Sequence, residues 1–462
     1  MEVKGKKIIV VGLGISGLWA ARWACRLGAR VTVSEMRRAE EMDPSLLEEL
    51  EELGARFEGG GHDERSFLGA DLVIVSPGVP ADLPALRAAG DRGIPVLGEL
   101  EVASRFVKAP IIAVTGSNGK STVTSLLGDI LKASGRKVFV GGNIGTPLIS
   151  LAASPEPVDL VVVEVSSFQL DTTRTFSPHI SILLNISPDH LDRYEGFEAY
   201  VRSKYRIFMN QGRGDYLILN DDDTRLKGLS PATRAAVLRY GLEPGQGRDA
   251  FCRGEEIVML RKGRTAAVCS VSDFSLPGDH NLGNLMAAVL AARQVGVAPH
   301  DIQAAVSSFK GLPHRMEEVA EIGGVRFFND SKATNVDAAV KAVTGLGLPI
   351  VLIAGGRHKG ADYGELTEAA CGRVKGAVLL GEAREIMAAS FQGKIPVRMA
   401  RDMEQAVAMA HAWASPGEAV LLSPACASFD MFESYAHRGR LFREAVTRLR
   451  DGTGQKRPAR GL

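Results

Sequence analysis

A β-branched run that breaks at a glycine-rich turn and resumes as a helix constrains this chain more than any other feature. In Pro110-IIAVTGSNGKSTVTSLLGDIL-Lys132, Ile111 to Val114 read as a buried parallel strand and the amphipathic run after the turn reads as a helix. Between them Gly116, Ser117, Asn118, Gly119, Lys120, Ser121 and Thr122 would form an anion cradle. Free backbone N–H groups and the positive end of the helix dipole face whatever is bound there. Lys120 would reach the β- and γ-phosphates, and the Ser121 hydroxyl would hold magnesium. Val114 stands where the first glycine of G-x-x-x-x-G-K-[ST] belongs, so the loop departs from the general pattern. An ordinary βα turn with an incidental lysine is the alternative, and the flanking strand and helix favour the phosphate reading.

At 462 residues the chain has room for roughly three domains, each with its own core. Its 55 lysines and arginines nearly balance 54 acids, leaving a net charge of +1. No field of that size recruits nucleic acid or an anionic membrane, so anion binding must come from local sites. The five cysteines are odd in number and scattered, without a C-x-x-C pair. That pattern argues against a zinc site or disulfide framework and suits a reducing cytosol. The opening Met1-EVKGKKIIVVGLG imitates a signal peptide, but its apolar run is broken at Gly12 and reads better as a first strand. The expectation is a cytoplasmic protein, and nothing in the sequence demands more than a monomer.

Strand and helix signals alternate through residues 1–108. Lys7-IIVV leads into Gly12-LGISG, a helix follows from Leu18, and Arg30-VTVSE and Asp71-LVIVSPG are further strands. Gly12, Gly14 and Gly17 complete G-x-G-x-x-G around Ile15 and Ser16, with Glu35 near the spacing of a ribose-binding acid. Read alone this says dinucleotide, although the same turn serves any pyrophosphate or a purely structural role. Ser76, Pro77 and Gly78 sit at a strand's carboxyl end, where ligands bind in such sheets. Residues 109–310 form a second α/β unit that begins with the phosphate loop. Its stretch from Ser230 to Ser275 carries only weak alternating patterns. Lys310-GLPHR, a Gly/Pro turn, marks the second boundary. Residues 311–450 form a third α/β unit, and 451–462 read as a disordered tail.

Polar residues gather at predicted strand ends. Glu164, after Leu160-VVV, could hold magnesium as Walker-B acids do, or be a solvated strand-end acid. His190 in Asp189-HLDRY lies after another strand at the same rim. Lys204, in the helical run Tyr200-VRSKYRIF, reads by itself as a surface lysine, and His280, Asn281 and Asn284 read as capping residues before a helix. In the third unit Asn329-DSKATN, Gly355-GRHK and Ser423-PACASFDMFESYAHRG are three strand-end turns, together a rim for a small anionic substrate.

With these residues assembled the chain resembles the Mur ligase family over nearly its whole length. The loop T-G-S-N-G-K-S-T is similar to this family's form of the phosphate loop, which accounts for Val114. Glu164-VSSFQLD, Asp189-HLDRY, Gly311-LPHR, Asn329-DSKATN and Ser423-PACAS resemble its D-glutamate-adding branch. The resemblance implies three domains: a Rossmann-like UDP-substrate domain, a central phosphate-loop ATPase domain and a C-terminal Rossmann-like amino-acid domain. It also implies that ATP phosphorylates the alanyl carboxylate of a UDP-muramoyl substrate, and that the amine of D-glutamate attacks the acyl phosphate. Such chemistry needs charge neutralisation and positioning rather than a covalent nucleophile.

By the same resemblance Lys120 grips the phosphates and Ser121 and Glu164 bind a first magnesium ion. His190 helps hold a second, together with Lys204 as a carbamate. Asn284, Arg315 and Asp330 would hold the adenine nucleotide. Lys332, Thr334, Lys359, Ser428 and Tyr435 would surround D-glutamate, and Asn143 would contact the muramoyl substrate. Gly14 to Gly17, Glu35 and Ser76 to Gly78 would then bind UDP substrate rather than a dinucleotide. Another Mur ligase or a folylpolyglutamate synthase is the near alternative. A nicotinamide-dependent oxidoreductase or a nucleotide sensor is the distant one, and it leaves Lys120, Glu164 and His190 unexplained.

Overall fold

A computed structural model of the chain describes residues 2–80, 82–153, 156–190, 193–261 and 263–452. The chain divides into two compact units. One comprises residues 1–186, 201–273 and 283–308; the other comprises 187–200, 274–282 and 309–462.

The first unit holds two sheets. Strands β1 (Lys7–Val11), β2 (Arg30–Ser34), β3 (Arg56–Glu58), β4 (Leu72–Val75) and β5 (Val96–Gly98) pair in parallel in the order β3-β2-β1-β4-β5. The order reverses between β1 and β4, so a crevice opens at their carboxyl ends, where Gly12 and Ser76 lie. The apolar runs Ile8–Val11 and Leu72–Val75 are buried throughout, as strands covered on both faces must be.

The second sheet runs β14-β13-β12-β11-β10-β9-β6-β8-β7. Its parallel part is β6 (Ile111–Thr115), β7 (Val138–Gly142), β8 (Leu160–Glu164), β9 (Ile180–Leu183), β10 (Tyr216–Asn220) and β11 (Ala236–Tyr240). The weakly patterned stretch extends this sheet: β12 (Ala250–Arg253), β13 (Glu256–Arg261) and β14 (Arg264–Ser270) form an antiparallel meander at its edge. Glu101 joins the two sheets. Its buried carboxylate accepts from the N–H groups of Arg174, Thr175 and Phe176 and from Arg105.

The second unit is built on β15 (Glu317–Ile322), β16 (Val325–Asn329), β17 (Ile350–Gly355), β18 (Val374–Leu380), β19 (Val397–Met399) and β20 (Ala419–Leu422). Their order is β15-β16-β20-β17-β18-β19, antiparallel only between β15 and β16. Two apolar layers cover its faces, one around Leu352, Leu366 and Phe391 and the other around Phe327, Val407 and Phe442.

Several expectations change. The helix expected from Leu18 starts at Ile15, with Gly14 as its N-cap. His280, Asn281 and Asn284 do not precede a helix; they lie within the helix Asp279–Gln294, whose start the polar first turn hides from a periodicity count. Asp451 and Gly452, expected in the tail, complete the helix Tyr435–Gly452. The remainder of the expected disordered tail, 453–462, lies outside the described residues.

Candidate active site

Residues 116–119 turn tightly between β6 and the helix Lys120–Ala133. Gly119 caps that helix at φ 84°, a left-handed conformation that a side chain resists. A Cβ there would also lie 2.3 Å from the Asn284 side-chain oxygen, so the missing side chain is what admits Asn284 to the loop. Asn185, just past β9, pins the turn from the other side. Its backbone oxygen accepts from Ser117 N–H at 3.0 Å, its side-chain oxygen accepts from Asn118 N–H at 2.8 Å, and its amide donates to Asn118 O. Lys120 curls back over the turn and donates to the carbonyl oxygens of Gly116 and Ser117, both at 2.8 Å. Thr122 is buried in the first helical turn.

Glu164 is not a solvated strand-end acid; it is 1% exposed. Parallel pairing sets Gly142 opposite Glu164 across β7 and β8 and Val114 opposite it across β6, so three strand ends meet at one carboxylate. One of its oxygens accepts from the Ser121 hydroxyl at 2.5 Å and the other from the Asn143 amide at 2.7 Å. Gly142, at φ 103°, lets this happen: a Cβ there would sit 2.3 Å from Glu164 O. Lys204 is likewise no surface lysine. It is 1% exposed on the helix Phe197–Tyr205, and its Nζ donates to Gly116 O at 2.8 Å.

Ser121 and Glu164 supply hard oxygen atoms, the donor type magnesium takes, which it completes with water and phosphate oxygens. Among the described residues no group of three or more His, Cys, Asp or Glu side chains forms a metal cage.

At the first sheet the Ser76 hydroxyl donates to Gly12 O at 3.0 Å, bridging the β1 and β4 ends. Pro77 and Gly78 continue that turn, and Ile15, 68% exposed, and Ser16 open the helix beside it. Glu35 is held by the Leu13 N–H at 2.7 Å and by Arg37. Burial alone would raise its pKa, but these donors outweigh burial and keep it below the usual range.

In the second unit the three strand-end turns do converge. Asp330, past β16, accepts from the Ser423 hydroxyl at 3.0 Å and from Met316 N–H at 3.2 Å. Burial pushes its pKa up to about 7 despite those donors and the nearby Arg315. Arg315 lines a cavity of about 670 Å³ with Leu276, Leu312, Phe328 and Leu346. Lys332 sits 3.7 Å from the centroid of the Tyr435 ring, a cation–π contact. Lys359 pairs with Asp189 at 2.8 Å. Ser428 is buried, and Thr334 immediately precedes Asn335, the N-cap of the helix Val336–Gly345. His190 has a left-handed backbone at φ 55°.

Two residues of this framework escaped sequence reasoning. Asn185 carried the signal of a polar residue at a strand end. Arg438 carried none: it is 1% exposed, donates to the Ser331 hydroxyl and carbonyl and to the Cys426 and Ala427 carbonyls, and so ties two of the turns together. Burial lowers its pKa to about 10.

A phosphate loop with an acid on its serine, a glycine crevice on a separate parallel sheet and a cation-lined rim on a third define an ATP-dependent α/β ligase. The chain belongs to the Mur ligase family. The MurD-like N-terminal domain matches residues 6–98, the Mur ligase middle domain 114–292, and the Mur ligase glutamate ligase domain 314–426. It is 48% identical over 452 residues to the UDP-N-acetylmuramoylalanine--D-glutamate ligase of Desulfosudis oleivorans, covering 98% of each chain. It is 45% identical to the enzyme of the same name from Geotalea uraniireducens, over 98% of this chain and 100% of that one. The fold is shared with the UDP-N-acetylmuramate-alanine ligase of Thermotoga maritima, with a TM-score of 0.61 at 20% identity over 96% of this chain and 100% of that one. Among the described residues no helix is long and apolar enough to cross a membrane.

Proposed function

We propose that the chain joins D-glutamate to UDP-N-acetylmuramoyl-L-alanine at the expense of ATP, in the cytoplasmic synthesis of peptidoglycan precursors. The observation that carries this reading is the Glu164 carboxylate, which holds the phosphate-side Ser121 on one oxygen and Asn143 on the other. If Asn143 contacts the muramoyl substrate, ATP and the carboxylate to be activated meet at this acid.

The chain's own residues supply the positioning. Gly116 to Thr122 cradle the triphosphate with backbone N–H groups, and Lys120 exchanges its two carbonyl partners for phosphate oxygens. Ser121 and Glu164 would hold one magnesium ion, and His190 with a carbamylated Lys204 a second. Bound magnesium neutralises charge on the transferring phosphoryl group. Asn284, Arg315 and Asp330 would hold the adenine nucleotide. Gly14 to Gly17, Glu35 and Ser76 to Gly78 would hold the UDP part. The alanyl carboxylate oxygen attacks the γ-phosphorus, ADP leaves, and an acyl phosphate forms. The D-glutamate amine then attacks the acyl carbon, loses a proton, and expels inorganic phosphate. Lys332, Thr334, Lys359, Ser428 and Tyr435 would surround that amino acid. We take the working form to be a monomer with domains at 1–108, 109–310 and 311–450.

Phosphate release from ATP, measured with UDP-N-acetylmuramoyl-L-alanine and a panel of amino acids, tests the reading. Release should require D-glutamate. Turnover with L-alanine or meso-diaminopimelate instead would reassign the chain within the family.

A further inference from the structure

Asp189 makes more contacts than a strand-end acid needs. One carboxylate oxygen accepts from Lys359 Nζ at 2.8 Å and from the backbone N–H of His190 at 2.9 Å. The other accepts from the Asn335 amide at 3.1 Å, and the side chain is 8% exposed. Asn335 is itself immobilised, because its own side-chain oxygen caps the helix Val336–Gly345 through Ala338 N–H. Ser187 ties the same segment to that helix by donating to Asp337 at 3.0 Å.

We propose that Asp189 is a positioning residue for the ligation: one carboxylate aims the Lys359 ammonium at the incoming amino acid and holds His190 in its left-handed conformation. The proposal rests on the reading of Lys359 as a D-glutamate residue. A lysine is a flexible point charge with three N–H donors, and as a recognition element it must be fixed before the ligand arrives. Asp189 takes one donor and sets the direction of the others. A neutral acceptor would not serve as well, since a largely buried ammonium without a counter-charge is strongly disfavoured. The same carboxylate bonds His190 N–H, so the residue that the resemblance places at the phosphoryl end and the cation at the amino-acid end share one anchor. His190 at φ 55° adopts a conformation that non-glycine residues seldom take without such support.

The test is a double-mutant cycle on the full chain. Asp189→Asn should raise KM for D-glutamate ~10-fold or more, while KM for ATP and for the UDP substrate stays within ~2-fold. Lys359→Ala should raise KM for D-glutamate further, and the double variant should be no worse than Lys359→Ala alone, because Asp189 acts through Lys359. Calorimetric titration of D-glutamate should rank the variants in the same order without relying on turnover. Asn335→Ser keeps a capping oxygen but withdraws the amide from Asp189, so a smaller rise, ~3-fold, is expected there even if Asp189→Asn does not fold. An unchanged KM for D-glutamate in folded Asp189→Asn, or in Asn335→Ser if that variant must stand in for it, overturns the proposal, as do fully additive losses in the double variant. A Lys359→Ala enzyme with unaltered KM for D-glutamate would instead remove the underlying assignment of Lys359, and the role of Asp189 with it.

Discussion

Lys204 Nζ donates a 2.8 Å hydrogen bond to the carbonyl oxygen of Gly116, joining a buried helical lysine to the phosphate loop. Two chemistries fit that position. As an ammonium, Lys204 would face the triphosphate directly; as a carbamate, formed when the neutral amine adds carbon dioxide and releases a proton, it would offer oxygens to a hard metal.

Small-molecule rescue separates them. Lys204→Ala should lose most ligase activity and regain part of it with acetate, which returns the missing oxygens. Lys204→Arg should not respond, since the guanidinium fills the space with the wrong charge. Rescue by methylammonium rather than acetate would identify the working form as the cation.

Glu164 and Lys120 should each be indispensable for a different reason. Glu164→Ala deprives both Ser121 and Asn143 of their acceptor, and Lys120→Ala removes the cation that leans over the loop. Each should cut kcat by ~100-fold or more with the fold intact by circular dichroism, because each removes charge stabilisation at the transferring phosphoryl group. Near-normal turnover in either folded variant would count decisively against the site.

Much of this was legible before folding, and what was not has definable causes. Gly119, Lys120 and Ser121 are consecutive, so local pattern alone located the glycine turn between the strand and the helix Lys120–Ala133. The Ser121–Glu164–Asn143 bridge depends on the register of β7 and β8, a tertiary property that no spacing reveals. Lys204 read as exposed because a short amphipathic run does not say which face meets a loop 88 residues earlier. Arg438 illustrates the limit: its partners are Ser331 and the carbonyls of Cys426 and Ala427, from two separate turns, so only the assembled sheet could account for a buried arginine.

Gly17 should prove the least replaceable glycine of the first crevice. A Cβ at that position would lie 1.9 Å from Gly12 O, whereas one at Gly14 would meet open space. Gly17→Ala must therefore push the helix Ile15–Arg26 off the β1 turn. A loss of ~1–3 kcal/mol in denaturant unfolding is expected, with weakened binding of the UDP substrate. Gly14→Ala should cost less than ~1 kcal/mol, the scale of an N-cap preference. Equal losses in the two variants would mean that the close helix–strand approach is not what the glycine protects.

The pH dependence of stability should carry the mark of Glu99. One of its carboxylate oxygens accepts from Ile149 N–H at 2.8 Å, and the Gln169 side chain also hydrogen-bonds to the carboxyl. Burial pushes its pKa from 4.5 to about 7. The folded state therefore holds a proton that the unfolded chain has already released between roughly pH 4.5 and 7. Because the native state binds more protons there, stability falls as pH rises through that window and levels off above it. Glu99→Gln keeps the acceptor for Ile149 without a charge, so it should be neutral near pH 4 and stabilising at pH 8, by roughly 3 kcal/mol at most. Asp330, also pushed up to about 7, adds a slope of the same sign over this range, whereas His280, lowered to about 4 by burial, adds one of opposite sign below pH 6.5, so the readout is the change in slope between the parent chain and Glu99→Gln rather than the total slope. Urea unfolding at pH 5, 6, 7 and 8 measures this directly, and an unchanged slope in Glu99→Gln would show that the carboxyl ionises freely in the fold.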